Sequence, residues 1–139
     1  MNAEQIRRAL LCISTLSVIA GSLALIYSDF DFTGPGERAL VKGDAYFISS
    51  LFNLNAFGGV LLVVAGVLGV VAALRGIVAL AWVGAFVAGF GGAAVLVGSG
   101  DAETLVGQGN PSNAAIFFIV GVGLAVTAWA TAADSRPAS

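Results

Sequence analysis

Histidine is absent from this chain of 139 residues, and cysteine and methionine occur once each, at Cys12 and Met1. The side chains that usually ligate zinc, haem iron and iron–sulfur clusters are therefore missing, and no intrachain disulfide can form. A serine, threonine or cysteine nucleophile would need a neighbouring base, and the sequence pairs none with one. We therefore expect no enzyme activity, no cofactor and no metal site.

Charged residues are also scarce, at 10% of the chain, whereas 58% of it is hydrophobic. Soluble domains carry about a quarter charged residues, so this composition would leave broad apolar surface in water. The net charge of −2 and the lack of a basic stripe do not indicate a nucleic-acid partner, and we expect none. The chain is predicted to be an integral membrane protein in contact with the lipid bilayer.

Four apolar stretches are long enough to cross the hydrocarbon core as helices, which takes about 20 residues each. Only Arg75 and Gly76 separate the second stretch from the third, and one helix through both would far exceed the bilayer, so a tight hairpin is predicted there. The sequence therefore predicts an all-α, polytopic membrane four-helix bundle over residues 1–139, as a single transmembrane domain. Its predicted spans are residues 9–27, 54–74, 77–97 and 114–133. Its predicted outer loops are residues 28–53 and 98–113, and its tail is residues 134–139.

Basic residues favour the cytoplasmic side of a membrane protein, and here they fall mainly on one side of the predicted bundle. Arg38 and Lys42 lie on the other side, where the two predicted outer loops also gather most of the acids. We interpret these acids as solvated surface rather than as calcium ligands. We expect a multi-pass protein of the bacterial plasma membrane, with both termini cytoplasmic. The residues that indicate this orientation are Arg7, Arg8, Arg75 and Arg136.

The two halves of the sequence share some spacings. Arg7 precedes Ala20-Gly21 by the same interval that separates Arg75 from Ala88-Gly89, and Asn55 and Asn113 open the second and fourth spans. A duplicated two-helix hairpin in parallel orientation is one interpretation. Chance similarity between low-complexity apolar segments is the other.

Small residues mark the faces on which membrane helices touch, because helices in lipid associate through close van der Waals contact. Such residues recur every four positions in the third span, and we expect that span to be central and Gly89→Leu to separate the helices. The alternative is that glycine and alanine only reflect composition here. The predicted packing residues are Ala81, Ala85, Gly89 and Ala93 in the third span and Ala65, Gly69 and Ala73 in the second.

Four asparagines lie at the predicted outer ends of the second and fourth spans. Asparagine is a favourable helix N-cap, and we interpret Asn55 and Ser112-Asn113 in this way. Alternatively, the asparagines line a shallow outward pocket. The set is Asn53, Asn55, Asn110 and Asn113.

No Asp, Glu, Lys or Arg lies inside the four predicted spans. Ion-coupled transporters usually hold an ionisable group there, so its absence argues against a small multidrug exporter. The leading expectation is a non-catalytic accessory or scaffold subunit that binds other membrane subunits or itself. The alternatives are a passive small-solute channel or carrier acting as an oligomer, and an outer-leaflet lipid-binding protein.

The sequences Leu51-Phe52-Asn53-Leu54-Asn55 and Asn110-Pro111-Ser112-Asn113 lead into the second and fourth spans. In these features the chain resembles small bacterial four-span integral membrane proteins of unknown function. The resemblance covers the four spans and implies the same fold, but it implies no activity. Those proteins often carry histidines near these helix starts, and this chain has none.

Overall fold

The computed structural model describes residues 1–28, 30, 54–97, 103–104, 106–108 and 111–134. Each of the four long helices in these ranges is long and apolar enough to cross a membrane, which confirms the predicted all-α four-helix bundle. A two-residue antiparallel β pair, which the sequence did not indicate, precedes the last helix. The helices are α1 Ala3–Tyr27, α2 Ala56–Arg75, α3 Val78–Val97 and α4 Pro111–Asp134, and the strands are β1 Glu103–Thr104 and β2 Gly107–Gln108.

Helix α1 begins well before its predicted apolar span because its first turns are stabilised by polar contacts. The Asn2 side chain accepts a hydrogen bond from the backbone N–H of Gln5, and the Gln5 side chain accepts one from the backbone N–H of Asn2. This reciprocal capping box satisfies two backbone donors at the helix start. One turn further on, Arg8 and Glu4 form an exposed ion pair at 2.9 Å.

The predicted hairpin between the second and third spans is present. Helix α2 ends at Arg75, and Gly76 follows in the left-handed conformation with φ 70°. Glycine adopts this conformation without the steric cost of a Cβ atom, which makes it a common residue after a helix end. Helix α3 then begins at Val78, so the turn is as short as the sequence predicted.

Helix α4 begins at Pro111, three residues before its predicted start. Proline suits the first helical position because the backbone donor that it lacks would be unpaired there in any case. Asn113 therefore lies inside the first turn, and the N-cap role predicted for it is wrong. Asn55, by contrast, is the N-cap of α2, as predicted.

The four helices form a closed ring in chain order. The α1/α2 and α3/α4 contacts are the most extensive, and α2 and α4 meet only briefly across the middle. The third span has a neighbour on each side, α2 and α4, as expected, but the ring makes it no more central than the other helices. The largest fully buried apolar side chains are Leu54, Leu62, Val95, Val106, Phe117 and Leu124.

The two ends of the bundle differ in composition. Arg7, Gly76 and Asp134 line one cavity, so the start of α1, the α2–α3 turn and the end of α4 share one end, here called the Arg75 end. At the opposite end, here called the Asn55 end, the backbone N–H of Asn55 donates to the Val106 carbonyl oxygen at 3.1 Å. Both described termini of the helical bundle therefore lie at the Arg75 end.

Candidate functional site

Helices α1 and α2 approach each other through glycines. A Cβ atom built on Gly21 would lie 2.5 Å from the Gly59 carbonyl oxygen, and one on Gly66 would lie 2.6 Å from the Ser14 carbonyl oxygen. Such distances are far below van der Waals contact, so only glycine fits at these positions. The Ser17 hydroxyl adds a hydrogen bond between the helices by donating to the Leu62 carbonyl oxygen at 2.7 Å.

The predicted packing residues of α2 face the interior. Ala65 and Ala73 are both buried, and the Ala65 carbonyl oxygen lies 2.9 Å from the position of a Cβ atom on Gly84 of α3. Gly69 is buried against the hydroxyl of Ser14 and a methyl group of Leu124. All three therefore lie at contacts within the bundle.

The predicted packing residues of α3 do not all face the interior. Ala81 is buried, Ala85 and Gly89 are half-buried, and Ala93 is exposed. The row turns away from the core because four residues exceed one helical turn, and the drift over the twelve positions from Ala81 to Ala93 amounts to about 120°. The residues of α3 that face the core instead include Gly84, Ala88, Gly91 and Gly92.

Gly89 has open space where a side chain would stand. A Cβ atom built there would meet no heavy atom within 4 Å outside its own helix backbone. The expected disruption of the bundle by Gly89→Leu is therefore corrected. The backbone of Gly89 nevertheless lies close to α4, since a Cβ atom on Gly121 would be 3.4 Å from the Gly89 nitrogen.

This open space belongs to a groove of about 610 Å³ on the outer surface between α3 and α4, here called the α3/α4 groove. Its small residues lie where the two helices are close, and its large residues stand around them. The small residues are Ala85, Gly89, Ala93, Gly121 and Ala125, and the large ones are Trp82, Phe86, Phe90, Phe118 and Val122.

Three of the large residues form a continuous line on α3, here called the aromatic ridge. Trp82, Phe86 and Phe90 follow each other at four-residue intervals, and Phe86 is 78% exposed. This ridge was not predicted from the sequence, although the regular four-residue spacing of its aromatic residues indicates it. The ridge and the α3/α4 groove together form the candidate site.

A second groove, of about 530 Å³, lies between α1 and α4. This is the α1/α4 groove. Its large side chains are aliphatic and come from both helices, so it has no aromatic ridge. Its lining residues are Leu16, Ile19, Ala20, Leu23, Ser112, Ala115, Ile116, Ile119 and Val120.

The cavity at the Arg75 end is smaller, about 160 Å³. Leu10, Ala72 and Ala128 are among its buried apolar lining residues, whereas Arg7 and Asp134 are exposed. Arg7, Arg8 and Arg75 all belong to this end of the bundle, and Arg136 lies outside the described residues. The cavity therefore combines an apolar interior with a charged surface beside it.

The structure describes two asparagines of the predicted outer pocket, and both are buried rather than exposed. Asn55 and Asn113 are only 4% and 0% exposed. The Asn55 side chain accepts a hydrogen bond from the backbone N–H of Gly58 at 3.0 Å, and the buried Val106 packs against the same helix start. Asn53 and Asn110 lie outside the described residues.

Within the described ranges, no group of three His, Cys, Asp or Glu side chains is placed to hold a metal ion. Comparison with protein-family models, curated proteins and solved structures finds no match to this chain.

Proposed function

We propose that this chain is a non-catalytic scaffold subunit of the membrane, which accepts a transmembrane helix in its α3/α4 groove. The observation that supports this most directly is that the chain has two sets of small residues with different surroundings. One set, including Gly21 and Gly66, lies at contacts within the bundle. The other set, including Gly89 and Ala93, faces outward in a groove wide enough for side chains of another helix.

Small residues on an outward face favour helix association in lipid. Membrane helices gain nothing by removing leucine or valine from lipid, so close backbone approach supplies much of the attraction between them. At the α3/α4 groove, the half-buried Ala85 and Gly89 leave the backbone within reach of a neighbouring helix. A lipid chain would also fit the space, but it is flexible and would not pack against the groove in one fixed arrangement.

The packed interior of the bundle favours a scaffold function and argues against a passive pore that runs through one chain. Leu62, Phe117 and Leu124 are fully buried and fill the described middle of the bundle. The buried hydroxyl groups of Ser17 and Thr127 donate to backbone carbonyl oxygens, so their protons are already engaged within the bundle. A solute path would have to displace these side chains.

The proposed orientation places the Arg75 end in the cytoplasm. Arg7, Arg8 and Arg75 cluster at that end, and basic residues close to helix ends favour the cytoplasmic side. A cysteine-accessibility assay with a membrane-impermeant reagent, applied to a cysteine inserted after Met1 in a Cys12→Ala background, tests this. Labelling in intact cells would contradict the orientation.

The scaffold function is tested by native mass spectrometry after gentle extraction. Ala93→Phe fills the α3/α4 groove, and Ala115→Phe is the matched control because it replaces an alanine of the α1/α4 groove that is exposed as well. We expect a stoichiometric additional subunit with the original chain and the control, and its loss by at least about tenfold with Ala93→Phe. A single chain carrying only lipid, or solute flux into liposomes that survives Ala93→Phe, would overturn the proposal.

A further inference from the structure

We infer that the cavity at the Arg75 end binds a small zwitterion with an apolar side group, which is the chemistry of an aliphatic or aromatic amino acid. This site is separate from the α3/α4 groove and does not depend on the proposed scaffold function. Three properties of the cavity carry the inference: its volume, its buried apolar lining, and the two opposite charges at its opening.

The interior of the cavity is apolar because short side chains meet where the four helix ends come together. In the middle of the bundle, by contrast, Leu62, Phe117 and Leu124 fill the space between the helices. The cavity volume of about 160 Å³ is close to that of an engineered apolar cavity of about 150 Å³ that takes up benzene, a ligand of six carbon atoms. The buried apolar lining residues are Ile6, Leu10, Ala72, Ala73, Ala81 and Ala128.

The volume of the cavity favours a short ligand over a phospholipid chain. All four helices contribute lining residues, so the cavity is surrounded by protein below its opening. An acyl chain spans half of the hydrocarbon core, about 15 Å, and is therefore much longer than a group of six carbon atoms. In the proposed orientation the opening faces the cytoplasm, from which a small soluble molecule can enter.

One side of the opening suits an anionic group. Arg7 of α1 is exposed at this opening and has no ion-pair partner among the described residues, whereas Arg8 pairs with Glu4 at 2.9 Å. A guanidinium group binds a carboxylate through two parallel hydrogen bonds. Arg75 adds positive charge nearby because it directly precedes Gly76, which also lines the cavity.

The other side of the opening suits an ammonium group. Asp134 and Thr131 both line the cavity, and they are neighbours on the surface of α4 because they lie three positions apart. The Thr131 hydroxyl donates to the Thr127 carbonyl oxygen at 2.8 Å, so its own oxygen can still accept a hydrogen bond. Asp134 ends α4, where the helix dipole favours a cation, and the last turn of α4 contains no basic residue.

The two charged sides do not neutralise each other. Arg7 and Asp134 line the same opening but form no ion pair with one another. A ligand that carries a carboxylate and an ammonium group can therefore lie between them, with its apolar side group in the interior below. An anion or a cation alone would leave one of the two side chains without a partner.

The site is tested by equilibrium dialysis of radiolabelled leucine and phenylalanine against the full chain in lipid nanodiscs. Three competitors each lack one part of leucine: isocaproate lacks the amine, isoamylamine lacks the carboxylate, and glycine lacks the apolar group. We expect saturable binding of at least one of the two amino acids. Each incomplete competitor should bind at least about tenfold more weakly than leucine, because a lost charge-assisted hydrogen bond or a lost apolar contact costs about that factor.

Variants of the two charged side chains assign the binding to this cavity. Arg7→Gln and Asp134→Asn should each weaken binding by at least about tenfold, for the same reason. Both residues are exposed, so these changes do not disturb the packed interior. The matched controls are Arg8→Gln and Glu4→Gln, which remove exposed charges of the same sign at the same end without touching the cavity lining. Both controls should bind as the original chain does.

Several results would overturn the inference. They are the absence of saturable binding of both amino acids, an incomplete competitor that binds as tightly as leucine, and control variants that lose as much binding as Arg7→Gln. Phosphatidylethanolamine that copurifies at one molecule per chain and is lost with Arg7→Gln would also overturn it, because the occupant would then be a membrane lipid. None of these results bears on the α3/α4 groove, since the assay uses one purified chain without a partner subunit.

Discussion

The α1/α2 contact and the α3/α4 contact use glycine in opposite ways. Between α1 and α2, Gly21 and Gly66 face the backbone of the neighbouring helix, where no side chain fits. Between α3 and α4, Gly91 faces the ring of Phe117, and Gly89 faces the open groove. The first contact therefore depends on backbone proximity, whereas the second combines a close backbone approach at Gly121 with an aromatic side chain packed on Gly91. A glycine in a membrane helix indicates close packing, but its sequence position does not tell which partner it faces.

This contrast also bears on the proposed sequence duplication. Gly21 and Gly89 are equivalent in that interpretation, yet one is enclosed by α2 and the other is open. Asn55 and Asn113 are equivalent as well, but Asn55 caps α2 whereas Asn113 lies within the first turn of α4. The helices do pair as α1/α2 and α3/α4. The duplication stays a prediction, with two of its equivalent pairs in different surroundings.

The largest expected effect comes from breaking the α1/α2 contact with Gly66→Leu. The new side chain would collide with the Ser14 carbonyl oxygen and the Val18 nitrogen, at 2.6 and 2.8 Å from its Cβ position, and backbone cannot rotate out of the way. Overpacking costs about 1–3 kcal/mol when side chains can adjust, and more here. We expect no folded, monodisperse protein in mild detergent by size-exclusion chromatography.

The control for that variant is Gly89→Leu, which has the same change in volume, but the new Cβ atom would meet no heavy atom within 4 Å outside its own helix backbone. The Gly89→Leu variant should keep the helical circular dichroism signal and the melting temperature of the original chain. If both leucine variants unfold alike, the contrast between the enclosed and the open glycine is contradicted.

A smaller effect is expected from breaking the α3/α4 contact with Phe117→Ala. The Phe117 ring is fully buried and lies over Gly91, so its removal leaves a cavity between the helices. Aromatic-to-alanine changes in protein cores cost about 3–5 kcal/mol, and we expect the lower end because lipid, not water, surrounds the bundle. Reversible unfolding in mixed micelles would measure it. Phe118→Ala, at an exposed ring beside Gly92, is the comparison and should cost less.

The sequence was sufficient to predict the four spans and the hairpin at Gly76, because span length follows from bilayer thickness and the turn follows from glycine chemistry. It was not sufficient to predict the rotation of α3 about its axis. In a soluble helix the polar face identifies the outside, but here both faces are apolar, so Gly84 and Gly89 look alike in the sequence. The spacing of the aromatic residues is visible in the sequence, but the sequence does not tell whether they face lipid or the interior of the bundle.

A still smaller effect should come from the interhelical hydrogen bond of Ser17. Ser17→Ala removes the donor to the Leu62 carbonyl oxygen, which is 2.7 Å from the hydroxyl. Hydrogen bonds between membrane helices contribute about 0.6 kcal/mol on average and up to about 2. We expect a loss of about 1 kcal/mol in unfolding free energy. A loss of unfolding free energy larger than that of Phe117→Ala would mean that the α1/α2 contact depends more on hydrogen bonding than on its glycines.

The smallest effect should come from Ser14→Ala, one helical turn from Ser17 on the same contact. The Ser14 hydroxyl is fully buried and has no hydrogen-bond partner among the described residues, and it points at Gly69. A buried polar group without a partner destabilises the folded state by about 1–3 kcal/mol, and its removal recovers up to that amount. The substitution also leaves a gap the size of one oxygen atom, which is destabilising. The two terms nearly offset each other, so we expect an unfolding free energy equal to that of the original chain or slightly higher. Both serine variants lose one oxygen atom, but only Ser17→Ala also loses an interhelical hydrogen bond. The difference between their unfolding free energies in the same micelles therefore measures the hydrogen bond. A destabilisation equal to that of Ser17→Ala would show that the Ser14 hydroxyl holds α1 against α2 through a partner of its own.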